Sequence, residues 1–183
     1  MWNKIIMLSI IIPTLNEEKY LPLLLKEIKK QNFNGDYEII VADAGSIDRT
    51  LEIAREHGCR VISGGLPARG RNEGAKMAQG DTLLFMDADN VFLPENFLEK
   101  LLTEFKRKKL GVASFPIYPN SKKIDKILYG FYNNFVNLTQ IPYATNSVLV
   151  KKEIFEKVDG GFDEEIKIGE DHYFAKQAAK FGK

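Results

Sequence analysis

Short runs of branched and aliphatic residues alternate along the chain with segments whose apolar positions recur every three or four residues. The first pattern is that of buried strands and the second that of amphipathic helices. Their regular alternation predicts a layered α/β domain with a mostly parallel sheet. Strands are expected at Leu8 to Pro13, Glu38 to Asp43, Cys59 to Ser63, Asp81 to Asp87, Gly111 to Pro116 and Ser147 to Lys151. Leu21, Leu24, Leu25 and Ile28 mark one helical face, and Thr14 with Glu17 is spaced as a capping box ahead of it. Further helices are expected from Asp48 to His57 with Gly58 as C-terminal cap, and from Arg71 to Gln79 ended by Gly80. Another opens at Pro94 and carries Phe97, Leu98, Leu101, Leu102 and Phe105, and the last runs from Glu170 to Phe181. The aromatic-rich stretch Ile124 to Tyr143 is expected to begin as a helix. Its stripe of Ile127, Leu128, Phe131, Tyr132 and Phe135 either packs into the core or faces an acceptor.

Composition narrows the picture. With 183 residues, 44% apolar and 28% charged, the chain has material for one core, so residues 1–183 are read as a single domain. The 26 Lys and Arg nearly cancel the 25 Asp and Glu, and a net charge of +1 gives no field suited to nucleic acid. Cys59 is the only cysteine, which excludes an intramolecular disulfide and fits a reducing, cytoplasmic setting. The apolar run Ile5 to Ile12 falls short of the ~20 residues that span a bilayer. Pro13, Asn16, Glu17 and Glu18 follow it without a small-residue cleavage site, so it reads as a strand and not a leader. Any membrane contact is expected to be peripheral. The basic run Lys106 to Lys109 reads as a solvated helix end.

In an open α/β sheet, ligands bind outside the carboxyl ends of the strands. Three strands here end in polar, acidic segments: Pro13-Thr14-Leu15-Asn16-Glu17, Asp43-Ala44-Gly45-Ser46 and Asp87-Ala88-Asp89-Asn90. Each alone has a local explanation as a cap, an Asx-type turn or a polar loop; together they mark one sheet edge. The Asp87-Ala88-Asp89 triplet follows the apolar Leu83-Leu84-Phe85-Met86, which leaves its carboxylates at the strand tip. Carboxylates this close repel one another unless a hard divalent cation lies beside them.

The order Ser9 to Glu18, Val41 to Thr50, Arg71-Asn72-Glu73-Gly74, Asp87-Ala88-Asp89 and Gly169-Glu170-Asp171 resembles glycosyltransferase family 2. The match runs from about residue 8 to the C-terminus. The resemblance implies a GT-A fold, a Rossmann-like α/β/α sandwich with a mostly parallel central sheet. It also implies inverting transfer of a sugar from a nucleotide diphosphate donor, UDP- or GDP-linked, to the hydroxyl of a glycan, a lipid-linked or another acceptor.

By that resemblance, Pro13, Thr14, Asn16, Glu17 and Asp43 hold the nucleoside, Gly45 lets the backbone turn closely around it, and Arg71 and Asn72 line the donor pocket. Glu17 has capping as its local alternative, and Arg71 an ion pair with a nearby carboxylate. Asp87 is expected at the ribose, with Ala88 between it and Asp89. Asp89, with Asp87 beside it, is the expected ligand of Mn²⁺ or Mg²⁺. One of Glu170 and Asp171 is the general base, Asp171 by preference, against the alternative that both only favour the helix dipole. Neither a Gln-x-x-Arg-Trp pattern nor a nucleophile triad is present, which favours single-sugar transfer without a covalent intermediate. The competing readings are a nucleotide-sugar binding module without turnover and a sugar-nucleotide pyrophosphorylase. The latter calls for a glycine-rich loop after the first strand, where Pro13 to Glu17 stand instead.

Overall fold

The computed structural model describes residues 7–90, 93–114 and 147–182. Six strands form one sheet: β1 (Leu8–Thr14), β2 (Tyr37–Asp43), β3 (Arg60–Ser63), β4 (Thr82–Met86), β5 (Val112–Ser114) and β6 (Ser147–Lys151). The order across the sheet is β3-β2-β1-β4-β6-β5. The first four strands are mutually parallel, whereas β6 runs antiparallel to both β4 and β5.

Strand alternation divides the core into two layers. Leu8, Ile10, Ile12, Ile39, Val41, Leu84 and Met86 face one side, and Ile11, Ile40, Leu83, Phe85, Val148 and Val150 face the other. The first face is covered by α1 (Leu21–Lys29), α2 (Thr50–Glu56) and α4 (Phe97–Arg107). The second is covered by α3 (Pro67–Met77), the short α5 (Lys152–Phe155) and α6 (Glu170–Ala178). This is the layered α/β domain with a mostly parallel sheet that the alternation predicts, and the α/β/α sandwich that the family resemblance implies. In α1 the expected stripe of Leu21, Leu24, Leu25 and Ile28 is fully buried, each side chain stabilising the fold by roughly 1.5–3 kcal/mol.

Three local expectations are corrected. Thr14 and Glu17 form no capping box. Thr14 ends β1, and α1 starts only at Leu21 with no side-chain cap. The third helix begins at Pro67, not Arg71, because Pro fits the first turn where its missing N–H costs nothing. Gly80 does not cap that helix, which ends at Met77; it is required where the chain passes β1. Its N–H donates to Ser9 Oγ at 2.9 Å, and a Cβ there would sit 2.5 Å from the Met7 carbonyl oxygen. Gly58, at φ +76°, does follow α2 as the expected cap. The 124–143 stretch lies outside the described residues. Among those described, no helix is long and apolar enough to cross a membrane.

Candidate active site

Parallel pairing of β1 with β2 puts Thr14 directly opposite Asp43, so the loops after both strands leave the sheet side by side. Asp43 is buried, and its carboxylate organises both. Oδ1 accepts the Thr14 hydroxyl at 2.9 Å and the Ser46 hydroxyl at 2.5 Å; Oδ2 accepts the Gly45 and Ser46 N–H groups at 2.9 and 2.8 Å. Burial alone would raise this carboxyl, but the bonds from Ser46, Thr14 and Gly45 outweigh it and hold it below its ordinary value. The turn depends on Gly45 at φ +94°, a conformation disfavoured for residues with a Cβ.

The two loops are stitched together beyond the strands. Asn16 occupies the left-handed region at φ 57°, where Asn is tolerated better than most residues. Its N–H donates to Ser46 Oγ at 2.8 Å, and its Oδ1 accepts the Ile47 N–H at 3.0 Å. Glu17 N–H donates to Thr50 Oγ1 at 2.7 Å, and the Thr50 hydroxyl donates to Asp48 Oδ1 at 2.5 Å. Ser46, Asp48 and Thr50 lie within the Val41 to Thr50 motif without an assigned role, and the structure shows that they join the two loops. Their signal is the spacing of short hydroxyl and acidic side chains through residues 43–50.

The acidic residues converge on Arg71. Its side chain, 4% exposed, comes from α3 and pairs through Nη2 with Asp87 Oδ1 at 2.6 Å, at the tip of β4. Through Nη1 it pairs with Glu170, the first residue of α6. The guanidinium also lies over the Phe162 ring, 5.4 Å from its centroid. Burial would depress its protonation, but Asp87, Glu170 and Asp171 keep it charged. Asp87 sits higher than an ordinary aspartate, because burial, Asp89 and Asp171 together outweigh the lowering by Arg71. Burial, followed by repulsion from Asp89, Asp48 and Asp87, raises Glu17 as well. Asp87, Glu170 and Asp171 thus gather around a single guanidinium, with Glu17 and Asp89 coupled to Asp87 beside it.

The remaining expected residues are placed as follows. Pro13 lies within β1 beside Ala42, and Ala88 is buried between its two aspartates. Asn72 is buried beside Arg71 and holds the loop that carries Phe162. Its Nδ2 donates to the Phe162 carbonyl at 2.8 Å and to Glu164 Oε1 at 3.0 Å, and its Oδ1 accepts the Phe162 N–H at 2.8 Å. A cleft of about 610 Å³ runs between residues 157–164 and the Tyr173, Gln177 and Phe181 side of α6. Its lining includes Phe162, over which Arg71 lies, and none of the cluster's acids.

Asp89 is exposed and takes no hydrogen bond or ion pair among the described residues. Among those residues, no group of three His, Cys, Asp or Glu side chains is placed to hold a metal unaided. An excess of carboxylates with one exposed carboxylate at a strand tip nevertheless fits a hard divalent ion that takes its other oxygens from a phosphate ligand and water.

The glycosyl transferase family 2 model matches residues 9–158. The 4,4'-diaponeurosporenoate glycosyltransferase of Staphylococcus haemolyticus is 39% identical over 121 residues, which is 61% of this chain and 32% of that one. The poly(ribitol-phosphate) beta-N-acetylglucosaminyltransferase TarS of Staphylococcus aureus is 27% identical over 190 residues, covering 93% of this chain and 32% of TarS. The chain therefore spans about a third of the length of both relatives. The crystal structure of S. aureus TarS 1-349 in complex with UDP-GlcNAc superposes with a TM-score of 0.74 at 26% identity, over 93% of this chain and 52% of that one. The mannosyltransferase PcManGT from Pyrobaculum calidifontis, in complex with GDP-Man and Mn²⁺, gives 0.75 at 20% identity over 96% of this chain and 52% of that one, which speaks to the fold. With that fold, and with a family match covering most of its length, the chain belongs to glycosyl transferase family 2.

Proposed function

We propose that this chain is the catalytic domain of a metal-assisted, inverting glycosyltransferase that uses a nucleotide diphosphate sugar. The observation that carries this reading is the pairing of buried Arg71 with Asp87 at the tip of β4 and with Glu170 of α6, where Asp89, Asp171 and Glu17 all couple to Asp87 at the carboxyl edge of the sheet. The nucleoside rests against Pro13, Thr14, Asn16, Glu17 and the Gly45 turn that Asp43 holds. Arg71 and Asn72 form the wall behind the donor, Asp87 meets the ribose, and Asp89 is the principal ligand of Mn²⁺ or Mg²⁺, with Asp87 beside it. When bound, the ion neutralises charge that develops on the leaving diphosphate.

Asp171 is assigned as the base because Glu170 is committed to Arg71. In a single displacement, the acceptor oxygen bonds to the anomeric carbon from the face opposite the nucleotide. The bond from that carbon to the diphosphate oxygen breaks, and its electron pair leaves with the diphosphate. The hydroxyl proton passes to Asp171, and the anomeric configuration inverts.

UDP-GlcNAc in the TarS complex supports a UDP-sugar donor, with a GDP-sugar as the alternative that the family resemblance leaves open. Leu15, Ile47, Leu66 and Ile168 are exposed on loops near this edge and support an acceptor, glycan or lipid-linked, presented at the cytoplasmic membrane surface by peripheral contact.

The test is single-turnover transfer and donor titration of Asp171→Asn. The expected result is a loss of ~10²- to 10⁴-fold in rate, about 3–5 kcal/mol of transition-state stabilisation, with donor affinity little changed. Full activity in this variant would overturn the base assignment. Donor binding without turnover in the unsubstituted protein would favour a binding module.

A further inference from the structure

We propose that Arg71 is a positioning residue: it ties the donor-side carboxylate Asp87 to the first turn of α6, with Glu170 as the anchor that holds Asp171 in place. The inference rests on the proposed assignment of Asp171 as base. It goes beyond it by giving Glu170 and Arg71 roles in which neither touches the reacting atoms.

The first turn of α6 has no side-chain cap from the residue that precedes it. Its N-cap is Gly169 at φ 80°, which supplies no side-chain cap, and within the turn the Asp171 carboxylate accepts the His172 N–H at 2.8 Å. The preceding segment, 163–168, is mostly exposed and forms turns and bends. The Glu170 side chain, 13% exposed and paired with Arg71, ties the turn to α3.

Arg71 is itself immobilised. Its guanidinium lies against Phe162, which Asn72 clamps through its N–H and carbonyl at 2.8 Å each. Phe162 stacks on Phe174 of α6 with centroids 4.1 Å apart. The helix is therefore held twice from the same centre, through Glu170 at its first residue and through Phe174 one turn on.

The other end of Arg71 is the 2.6 Å pair with Asp87 at the tip of β4. A planar guanidinium can engage two carboxylates at fixed angles, whereas a lysine ammonium in its place lacks that fork. A donor that engages Asp87 acts on the same group that fixes Glu170, so filling the donor site bears on the placement of the base. A displacement of about 1 Å at a reacting group costs on the order of 10²-fold in rate, which sets the size of effect to expect.

The experiment compares the unsubstituted protein with Glu170→Gln, Arg71→Lys, the double variant and Asp171→Asn. UDP-GlcNAc and GDP-mannose, each with Mn²⁺, are the donor probes. Nucleoside diphosphate release with water as acceptor gives the rate, titration gives the affinity, and hydrogen exchange at the amides of residues 170–174 reports the placement of the turn.

Glu170→Gln is expected to speed exchange at these amides and to slow turnover about 10²-fold, with donor affinity within about twofold of the original. Arg71→Lys should speed exchange at the same amides, and the double variant should be no slower than Arg71→Lys alone. Donor binding should alter exchange at residues 170–174 in the unsubstituted protein and not in Arg71→Lys. Unchanged exchange and rate in Glu170→Gln, or additive losses in the double variant, would overturn the inference. If Arg71→Lys does not fold, the Glu170→Gln arm decides by itself. Wild-type turnover in Asp171→Asn overturns the base assignment and this inference with it. A dead Asp171→Asn beside an unaffected Glu170→Gln overturns the inference alone.

Discussion

Asp43 shows how one side chain holds a binding edge. Its two oxygens take four hydrogen bonds from Thr14, Gly45 and Ser46, and the buried carboxylate is stable because all four donors meet it. Asp43→Asn keeps the shape but turns an amide toward some of those donors, so a loss of about 2–3 kcal/mol is expected in denaturant unfolding. The pH dependence has a definite sign. A carboxyl lowered in the folded state contributes stability above its unfolded value and loses it as pH falls through the folded one. The difference between the two proteins should therefore be flat from about pH 7 to about pH 5 and shrink only below about pH 4. A difference that shrinks already near pH 6 would contradict this arrangement. Asp43, Asp87 and Asp89 are legible in the sequence because each follows an apolar strand that aims it at the ligand edge. Thr14 and Glu17 mislead at the same scale. Their spacing suits a cap, but Thr14 finds Asp43, 29 residues away, and Glu17 N–H finds Thr50, 33 residues away. Partners so distant leave no mark in a local window.

At the scale of elements, the strand and helix faces follow from periodicity, because burial on one side of a strand or helix demands it. Contacts between elements are less legible. Gly74 within α3 looks like a weak point in a helix, yet the structure shows its purpose. A Cβ there would lie 2.3 Å from Ile11 Cγ2 of β1, so its absence sets how closely α3 packs on the sheet. Gly74→Ala is expected to cost about 1–3 kcal/mol despite the better helix propensity of alanine. Ile11→Ala should absorb part of that cost, giving a double variant less unstable than the sum of the singles. Thermal melts of the four proteins check this, and strict additivity would mean that the two residues do not share the contact. The start of α3 at Pro67 and the clamp of Asn72 on Phe162 depend likewise on tertiary partners.

At the scale of the whole molecule, the four parallel strands send the loops after β1, β2 and β4 to one edge, and the first turn of α6 adds its acids there. The sequence motifs name most of these residues, but not that Arg71 lies between Asp87 and Glu170, since α3 and α6 stand 99 residues apart at that pair. The cluster carries more negative charge than one guanidinium offsets, and the proposed function answers that excess with a divalent ion and a diphosphate. Thermal melting with a panel of nucleoside diphosphates, with and without Mn²⁺ and with Asp89→Asn as control, tests this most directly. A ligand held at 100 times its Kd adds about 2.7 kcal/mol to the folded state, roughly 5–10 °C in Tm for a chain of this length. The expected result is a shift of that size for UDP or GDP that requires Mn²⁺ and is lost in a folded Asp89→Asn. No shift with any diphosphate, or an equal metal-dependent shift in Asp89→Asn, would contradict a metal-assisted nucleotide-sugar site at this edge.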